Sequence, residues 1–180
     1  MERCRMVFSG SGGQGVITAS IILAEAAVLY ENLNAVQSQS YGAAARGGAT
    51  RSDVIISEST IDYPKVIQPN VLVCLTQEAY NKFYPVIRPG GLLITDTRYV
   101  KTQKKVDAQQ RELPMFQSVM DKIGKPIVFN ICMLGAVMAM VDLISPEAIM
   151  KVLENRIPAD FLDLNRQALE LGLGLGGGYK

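Results

Sequence analysis

The segment Gly10-Ser11-Gly12-Gly13-Gln14-Gly15 constrains this chain more than any other. It follows a short apolar run, Arg5 to Ser9, carrying Met6, Val7 and Phe8. It precedes Val16 to Tyr30, where Ile17, Ile21, Ala24 and Val28 recur at steps of three and four. That spacing predicts a helix, and a short apolar run bounded by glycine predicts a buried strand. A strand that turns sharply into a helix needs the backbone freedom of glycine. Ala35 to Gln39 reads as the next strand, after Asn32 and Asn34 end the helix. Strand, crossover helix and strand together predict a parallel pair with a right-handed crossover.

The pattern continues along the chain. Thr50 to Ser57 alternates around Val54 and Ile56 as a strand. Val71 to Leu75 is nearly all apolar, as expected of a strand covered on both faces. Thr76 is placed to cap the next helix, with Glu78 near its N-terminus, and Pro85, Pro89, Gly90 and Gly91 close it. Leu92 to Thr95 is another buried strand, ending at Asp96. Lys101 to Arg111, with Lys101, Lys104 and Lys105, reads as a solvated excursion.

Helices then dominate, over Pro114 to Ile123, Asn130 to Leu143 and Ala159 to Leu171. Another starts at Ser145-Pro146-Glu147, with serine as cap and proline at the first helical position. Met133, Met138 and Met140 read as core. Gly172 to Gly178 is too glycine-rich for a stable helix and is expected to fray. The expected architecture is one α/β domain over residues 1–172. It is three-layered, with a mainly parallel, Rossmann-like sheet and a helical C-terminal third. Residues 173–180 are expected to form a flexible tail.

Composition narrows the chemistry. There is no histidine, which removes Ser-His-Asp and Cys-His nucleophiles and histidine metal sites. The three cysteines, Cys4, Cys74 and Cys132, are far apart, so no local cluster motif or zinc knuckle is present. Cys74 and Cys132 lie in apolar runs and read as buried hydrophobes. A net charge of +1 gives no reason to expect nucleic acid or an anionic membrane as partner. The longest apolar stretch, Ile127 to Val141, is broken by Asn130 and Gly135 and falls short of the roughly 20 residues a membrane span needs. Met1 to Arg5 shows no signal-peptide pattern, and scattered free thiols fit a reducing compartment, so a cytoplasmic location is expected.

Gly10, Gly12 and Gly15 match the G-x-G-x-x-G pattern of dinucleotide sites, in which the backbone approaches a pyrophosphate at a helix N-terminus. Two checks oppose NAD or FAD. No acid ends the second strand, which reads Gln37-Ser38-Gln39-Ser40, and no Gly-Lys-Ser/Thr follows the loop. The motif alone leaves two readings open: a phosphate or anion site at Gly10, Gly12, Gly13, Gln14 and Gly15, or close packing and subunit contact. A second small-residue loop, Ser40 to Gly48, sets Arg46 among glycine and alanine, clearing space for a carboxylate or phosphate or for an intersubunit ion pair. Both loops are expected at the carboxyl edge of the sheet, with Tyr41 and Arg46 as further candidates. Arg51 and Asp53 read as a solvated or cross-strand pair, and Asp96 as a turn or cap.

Together these residues resemble a family. The order GSGGQGV, an Ala-rich helix, SYG-x-x-x-RGG, Ile61-Asp62-Tyr63-Pro64, Thr-Gln-Glu-Ala and Pro-Gly-Gly before a strand ending in Asp looks like the gamma subunit of 2-oxoacid:ferredoxin oxidoreductases. The resemblance covers roughly residues 5 to 172, and SYG-x-x-x-RGG looks most like the 2-oxoglutarate branch, with the pyruvate, branched-chain 2-oxoacid and indolepyruvate branches as the alternatives. Relatives often carry Pro-Glu where this chain has Ala43-Ala44, so any role of that glutamate is missing here.

The resemblance implies a pyruvate/ketoisovalerate oxidoreductase gamma-type domain and an enzyme, inactive as this chain alone, that oxidatively decarboxylates a 2-oxoacid to its acyl-CoA and reduces ferredoxin. It implies alpha, beta and ferredoxin-like delta subunits as partners. It also implies thiamine diphosphate, Mg, iron–sulfur clusters and coenzyme A in the complex, none of them held by this chain alone. The rival readings are a stand-alone nucleotide-binding oxidoreductase or regulatory module, and a homodimer of the isolated chain whose loops self-associate.

Overall fold

A computed structural model describes residues 3–40, 49–103 and 105–179. Six strands form one sheet: β1 (Cys4–Gly10), β2 (Asn34–Ser40), β3 (Thr50–Ser57), β4 (Val71–Cys74), β5 (Gly91–Asp96) and β6 (Ala108–Leu113). Their order across the sheet is β2-β3-β1-β4-β5-β6. The pairs β1–β4, β4–β5 and β5–β6 are parallel, whereas β3 runs antiparallel to both β1 and β2. The sheet is therefore mainly parallel, as expected, with one reversed strand.

That strand corrects the reading of the first forty residues. β1 and β2 do point the same way, but they are not partners, because β3 lies between them. Ser52 on β3 makes the insertion favourable locally. Its hydroxyl meets Ser20 Oγ, in the helix that follows β1, at 2.6 Å and accepts from Gln37 Nε2 at 2.8 Å.

The helices are α1 (Val16–Tyr30), α2 (Gln77–Phe83), α3 (Met115–Lys122), α4 (Phe129–Val141), α5 (Pro146–Arg156) and α6 (Leu162–Gly177). α1 and α3 to α6 share one core with Met6, Phe8, Val54, Ile56 and Val73 on one sheet face. The other face buries Val7, Ile55, Leu72 and Leu93 beneath Tyr80 and Phe83 of α2. Both faces are covered, which is why β4 is apolar throughout and β3 is apolar over its consecutive residues Val54, Ile55 and Ile56.

Local signals set the helix starts. Thr76 accepts from Ala79 N at 3.1 Å, and Ser145 accepts from Ala148 N at 3.2 Å. Asp96, buried at the end of β5, accepts from Arg98 N at 2.9 Å and from Phe116 N at 2.8 Å, so it holds its own turn and caps α3. Burial pushes its carboxyl pKa up, against those two donors and the Arg98 charge.

Glu31 reaches α5 from the end of α1. One of its carboxylate oxygens accepts from both Ser145 N, at 2.8 Å, and Ser145 Oγ. These hydrogen bonds hold its pKa below the ordinary value. A depressed folded-state pKa gives stability that is complete above the unfolded value and is lost as pH falls through the folded one. Glu31→Gln keeps an acceptor but not the charge. It should lower the melting temperature at pH 7, and the difference from wild type should shrink as pH falls below the ordinary carboxylate range of about 4 in melts run across that range.

Two further expectations differ from the structure. The polar excursion from Lys101 does not stay a loop: Ala108–Leu113 adds to the sheet as an edge strand, whose uncovered positions accept Gln and Arg. The glycine-rich segment after Leu171 is not frayed either, since α6 continues to Gly177. There the glycines are demanded by packing. A Cβ at Gly172 would overlap the carbonyl oxygen of Cys132 and lie 2.8 Å from Ala136 N, and one at Gly176 would lie 2.8 Å from Ala139 Cβ. Gly135 on α4 is pressed in return against Leu173 N and Gly172 Cα. α4 and α6 meet backbone to backbone, which compensates the poor helix propensity of glycine.

Candidate functional site

The glycine loop leaves β1 at the carboxyl edge of the sheet. Gly10 pairs with Thr50 and Ser40 pairs with Arg51, so Ser40 and Thr50 lie at that same edge. Tyr41 and Arg46, with Ala43 and Ala44, lie outside the described residues. The candidates that can be placed are Gly10, Gly12, Gly13, Gln14 and Gly15.

They do different work. Gln14 folds back over the loop: its Oε1 accepts from Ser11 N at 2.8 Å and its Nε2 donates to the Leu75 carbonyl, beyond β4, at 3.1 Å. Gln14 is thus a clamp that fixes the loop to the neighbouring strand. Gly10 exists to admit it, since a Cβ there would lie 2.5 Å from Gln14 Oε1. Gly15 precedes α1 with φ 72°, in the left-handed region, and a Cβ there would lie 2.6 Å from Asn130 Nδ2. Asn130 donates that nitrogen to the Gly15 carbonyl at 3.3 Å.

Gly12 and Gly13 differ from these. Both are exposed, and nothing lies within 4 Å of a Cβ built on either. Gly13 needs its glycine for φ 90°, but Gly12 is not in the left-handed region. Neither backbone strain nor packing within the chain accounts for glycine at position 12. The first turn of α1 carries no acidic residue and no side chain caps it, so neither offsets the partial positive charge of that helix end.

Asn130 is the member of the constellation that the sequence reading missed as such. It stood there only as a helix start and a break in an apolar run. A lone amide among Ile, Cys and Met was the available signal, because a buried amide needs a partner.

The Arg51–Asp53 pair is neither solvated nor cross-strand. Both residues sit on one face of β3, with Arg51 Nε donating to Asp53 Oδ1 at 2.6 Å. Asp53 is buried and accepts from Val66 N at 3.0 Å, while Arg51 donates to the Val66 carbonyl and lies over the Phe83 ring. The pair ties the segment that includes Tyr63 and Pro64 to the sheet. Between them is a cleft of about 540 Å3, lined among others by Ser38, Ser40, Tyr63 and Lys82.

The thiols stand apart from the loop. Cys74 and Cys132 are buried and Cys4 is half-buried. Burial pushes the Cys4 thiol up to about 11, against the Arg5 charge, and the Cys132 thiol up to about 12. Among the described residues no group of three Cys, Asp or Glu could hold a metal ion. Among them, too, no helix is long and apolar enough to cross a membrane.

Residues 5–175 match the family model described as pyruvate ferredoxin/flavodoxin oxidoreductase. The chain is 44% identical over 166 residues to a 2-oxoglutarate synthase subunit KorC from Methanocaldococcus jannaschii, covering 91% of this chain and 89% of the relative. Among solved structures it resembles the gamma subunit of a keto/oxoacid ferredoxin oxidoreductase from Geobacter sulfurreducens, with a TM-score of 0.89 and 39% identity, covering 98% of this chain and 97% of that one. The fold also recurs in the 2-oxoglutarate:ferredoxin oxidoreductase of Magnetococcus marinus, with a TM-score of 0.90 at 20% identity, covering 100% of this chain and 32% of that one. That protein was solved with 2-oxoglutarate, coenzyme A and succinyl-CoA bound. Sequence match and fold agree along nearly the whole chain, and this chain is a member of the pyruvate ferredoxin/flavodoxin oxidoreductase family.

Proposed function

We propose that this chain is the gamma subunit of a cytoplasmic 2-oxoglutarate:ferredoxin oxidoreductase. The match runs along 89% of a relative named as a 2-oxoglutarate synthase subunit, which supports that enzyme as the assembly this chain joins. The complex would decarboxylate 2-oxoglutarate oxidatively to its acyl-CoA and pass the electrons to ferredoxin. Alpha, beta and delta subunits are the partners in this reading. Thiamine diphosphate, Mg and the iron–sulfur clusters belong to those other chains. The residues described here do not fit such groups, because the thiols are buried and scattered and no carboxylate cluster accompanies them.

For this chain the role is to shape one wall of the coenzyme A site. The observation that carries it is Gly12, a glycine with no need of its own, exposed beside the acid-free N-terminus of α1. A missing side chain there lets a phosphate reach the backbone N–H groups. Arg46, a candidate from the sequence, would supply the counter-charge. The enzyme assembled with its partners should be assayed with 2-oxoglutarate, pyruvate and 2-oxoisovalerate, each with coenzyme A and a low-potential acceptor. kcat/KM for 2-oxoglutarate should exceed the others by about 100-fold or more. A preference for pyruvate or a branched 2-oxoacid would contradict the substrate assignment.

A further inference from the structure

At the opposite edge of the sheet, where β1, β4 and β5 begin, a trough gathers positive charge. One depression of about 730 Å3 is lined by Arg3, Arg5 and Arg88, with Val141 and Leu143 forming an apolar wall. A second, of about 320 Å3, adjoins it through Cys4, Asn70 and Val141 and brings in Arg111. Among the described residues no Asp or Glu lines either depression. In a chain of net charge +1 this is a local concentration, not a reflection of the whole.

The guanidiniums are poorly neutralised. Among the described residues Arg5 and Arg88 form no ion pair. Arg3 donates to the neutral Thr60 carbonyl, and among the described residues its one ion pair is with Asp62, at 3.7 Å, whose carboxylate is 84% exposed. Arg111 is held by the Gln109 side chain and the Gln110 carbonyl and lies 5.1 Å from the centre of the Tyr179 ring, none of which cancels its charge. Cations left side by side repel one another, and carboxylates supplied from outside relieve that repulsion.

The shape selects the source of those carboxylates. The two depressions form one elongated groove, and Arg88 is exposed at its rim. A small phosphate would meet one or two of these arginines and leave the rest unused. An extended segment of chain can meet them all while laying an apolar residue on Val141 and Leu143. Arginine suits this, because its planar, weakly hydrated fork pairs with carboxylates at protein interfaces. We infer that this arginine trough is the docking surface for an acidic segment of another subunit of the same complex. The inference rests on the subunit reading above and concerns the edge of the sheet remote from the glycine loop.

The test is Arg5→Glu combined with Arg88→Glu, co-expressed with the partner subunits. Wild-type assembly should weaken steadily between about 50 and 500 mM salt. The double variant should bind its partners at least about 100-fold more weakly at low salt. Arg5→Gln with Arg88→Gln should show an intermediate loss. Matching melting temperatures of the isolated chains show that assembly, not folding, has changed. Assembly of the folded double variant with wild-type affinity and salt tolerance overturns the inference while leaving the subunit reading intact. So does binding of inorganic phosphate or coenzyme A to the isolated wild type that the double variant loses while still assembling normally, which marks a small-anion site. A wild-type chain that joins no complex overturns both.

Discussion

Gly172→Ala should lower the melting temperature by about 6–12 °C. The added methyl would overlap the carbonyl oxygen of Cys132 and crowd Ala136 N, both of them backbone atoms of α4 that cannot swing aside as a side chain can. Relief requires α6 to move off α4, opening the contact that Gly135 makes from the other side. Overpacking of this kind costs about 3 kcal/mol. In a chain of this size each kcal/mol shifts the midpoint by about 2–4 °C. Gly174→Ala is the matched control. It lies in the same helix with nothing within 4 Å of its Cβ, and should gain up to about 1 kcal/mol from helix propensity alone. Thermal melts of both variants separate packing from propensity: the first should fall and the second should hold or rise. Equal behaviour would mean that α4 and α6 are not in backbone contact.

The second large effect is on function. Gly12→Ala meets no neighbour and no left-handed φ within the chain, so the isolated variant should melt at or slightly above the wild-type temperature. In the assembled enzyme the same methyl stands where a coenzyme phosphate is proposed to approach. KM for coenzyme A should rise about 10-fold or more, with kcat at saturating coenzyme changed far less. Gly15→Ala gives a different outcome, because φ 72° and the Asn130 side chain oppose it. That variant should lose stability first and activity only as a consequence. If Gly12→Ala instead weakens subunit association with KM for coenzyme A unchanged, the loop faces a neighbouring chain.

Much of this was legible in the sequence because local chemistry and tertiary structure agree there. Val16–Tyr30 and Thr50–Ser57 form over the expected residues, and Thr76 and Ser145 cap as serine and threonine do before a helix. The reversed β3 was not legible. Strand direction depends on where the connecting segment returns, and no periodicity within Thr50–Ser57 encodes it. The helical course of Gly172 to Gly177 was hidden for a related reason. Propensity counts each glycine as a local cost, whereas its benefit appears only when Cys132 and Ala136 of another helix are in place.

The candidate site shows the same division. The G-x-G-x-x-G pattern located the turn correctly but treated its glycines alike. Gly10 and Gly15 are explained by Gln14 and Asn130, residues 4 and 115 positions away from them respectively, and only the second distance lies beyond local reading. Arg51 and Asp53, two residues apart on a strand, share a face by simple alternation. Their joint hold on Val66 could not be seen until the 61–67 segment was folded against them.

The most direct measurement is recovery of this chain from its native cells under mild salt, with mass spectrometry of whatever accompanies it and analysis of bound thiamine diphosphate, iron and sulfide. The chain should emerge in a stable complex whose other members carry those groups and which reduces a low-potential acceptor when given 2-oxoglutarate and coenzyme A. Recovery solely as a free chain, or one that by itself binds NAD or FAD tightly, would contradict the account.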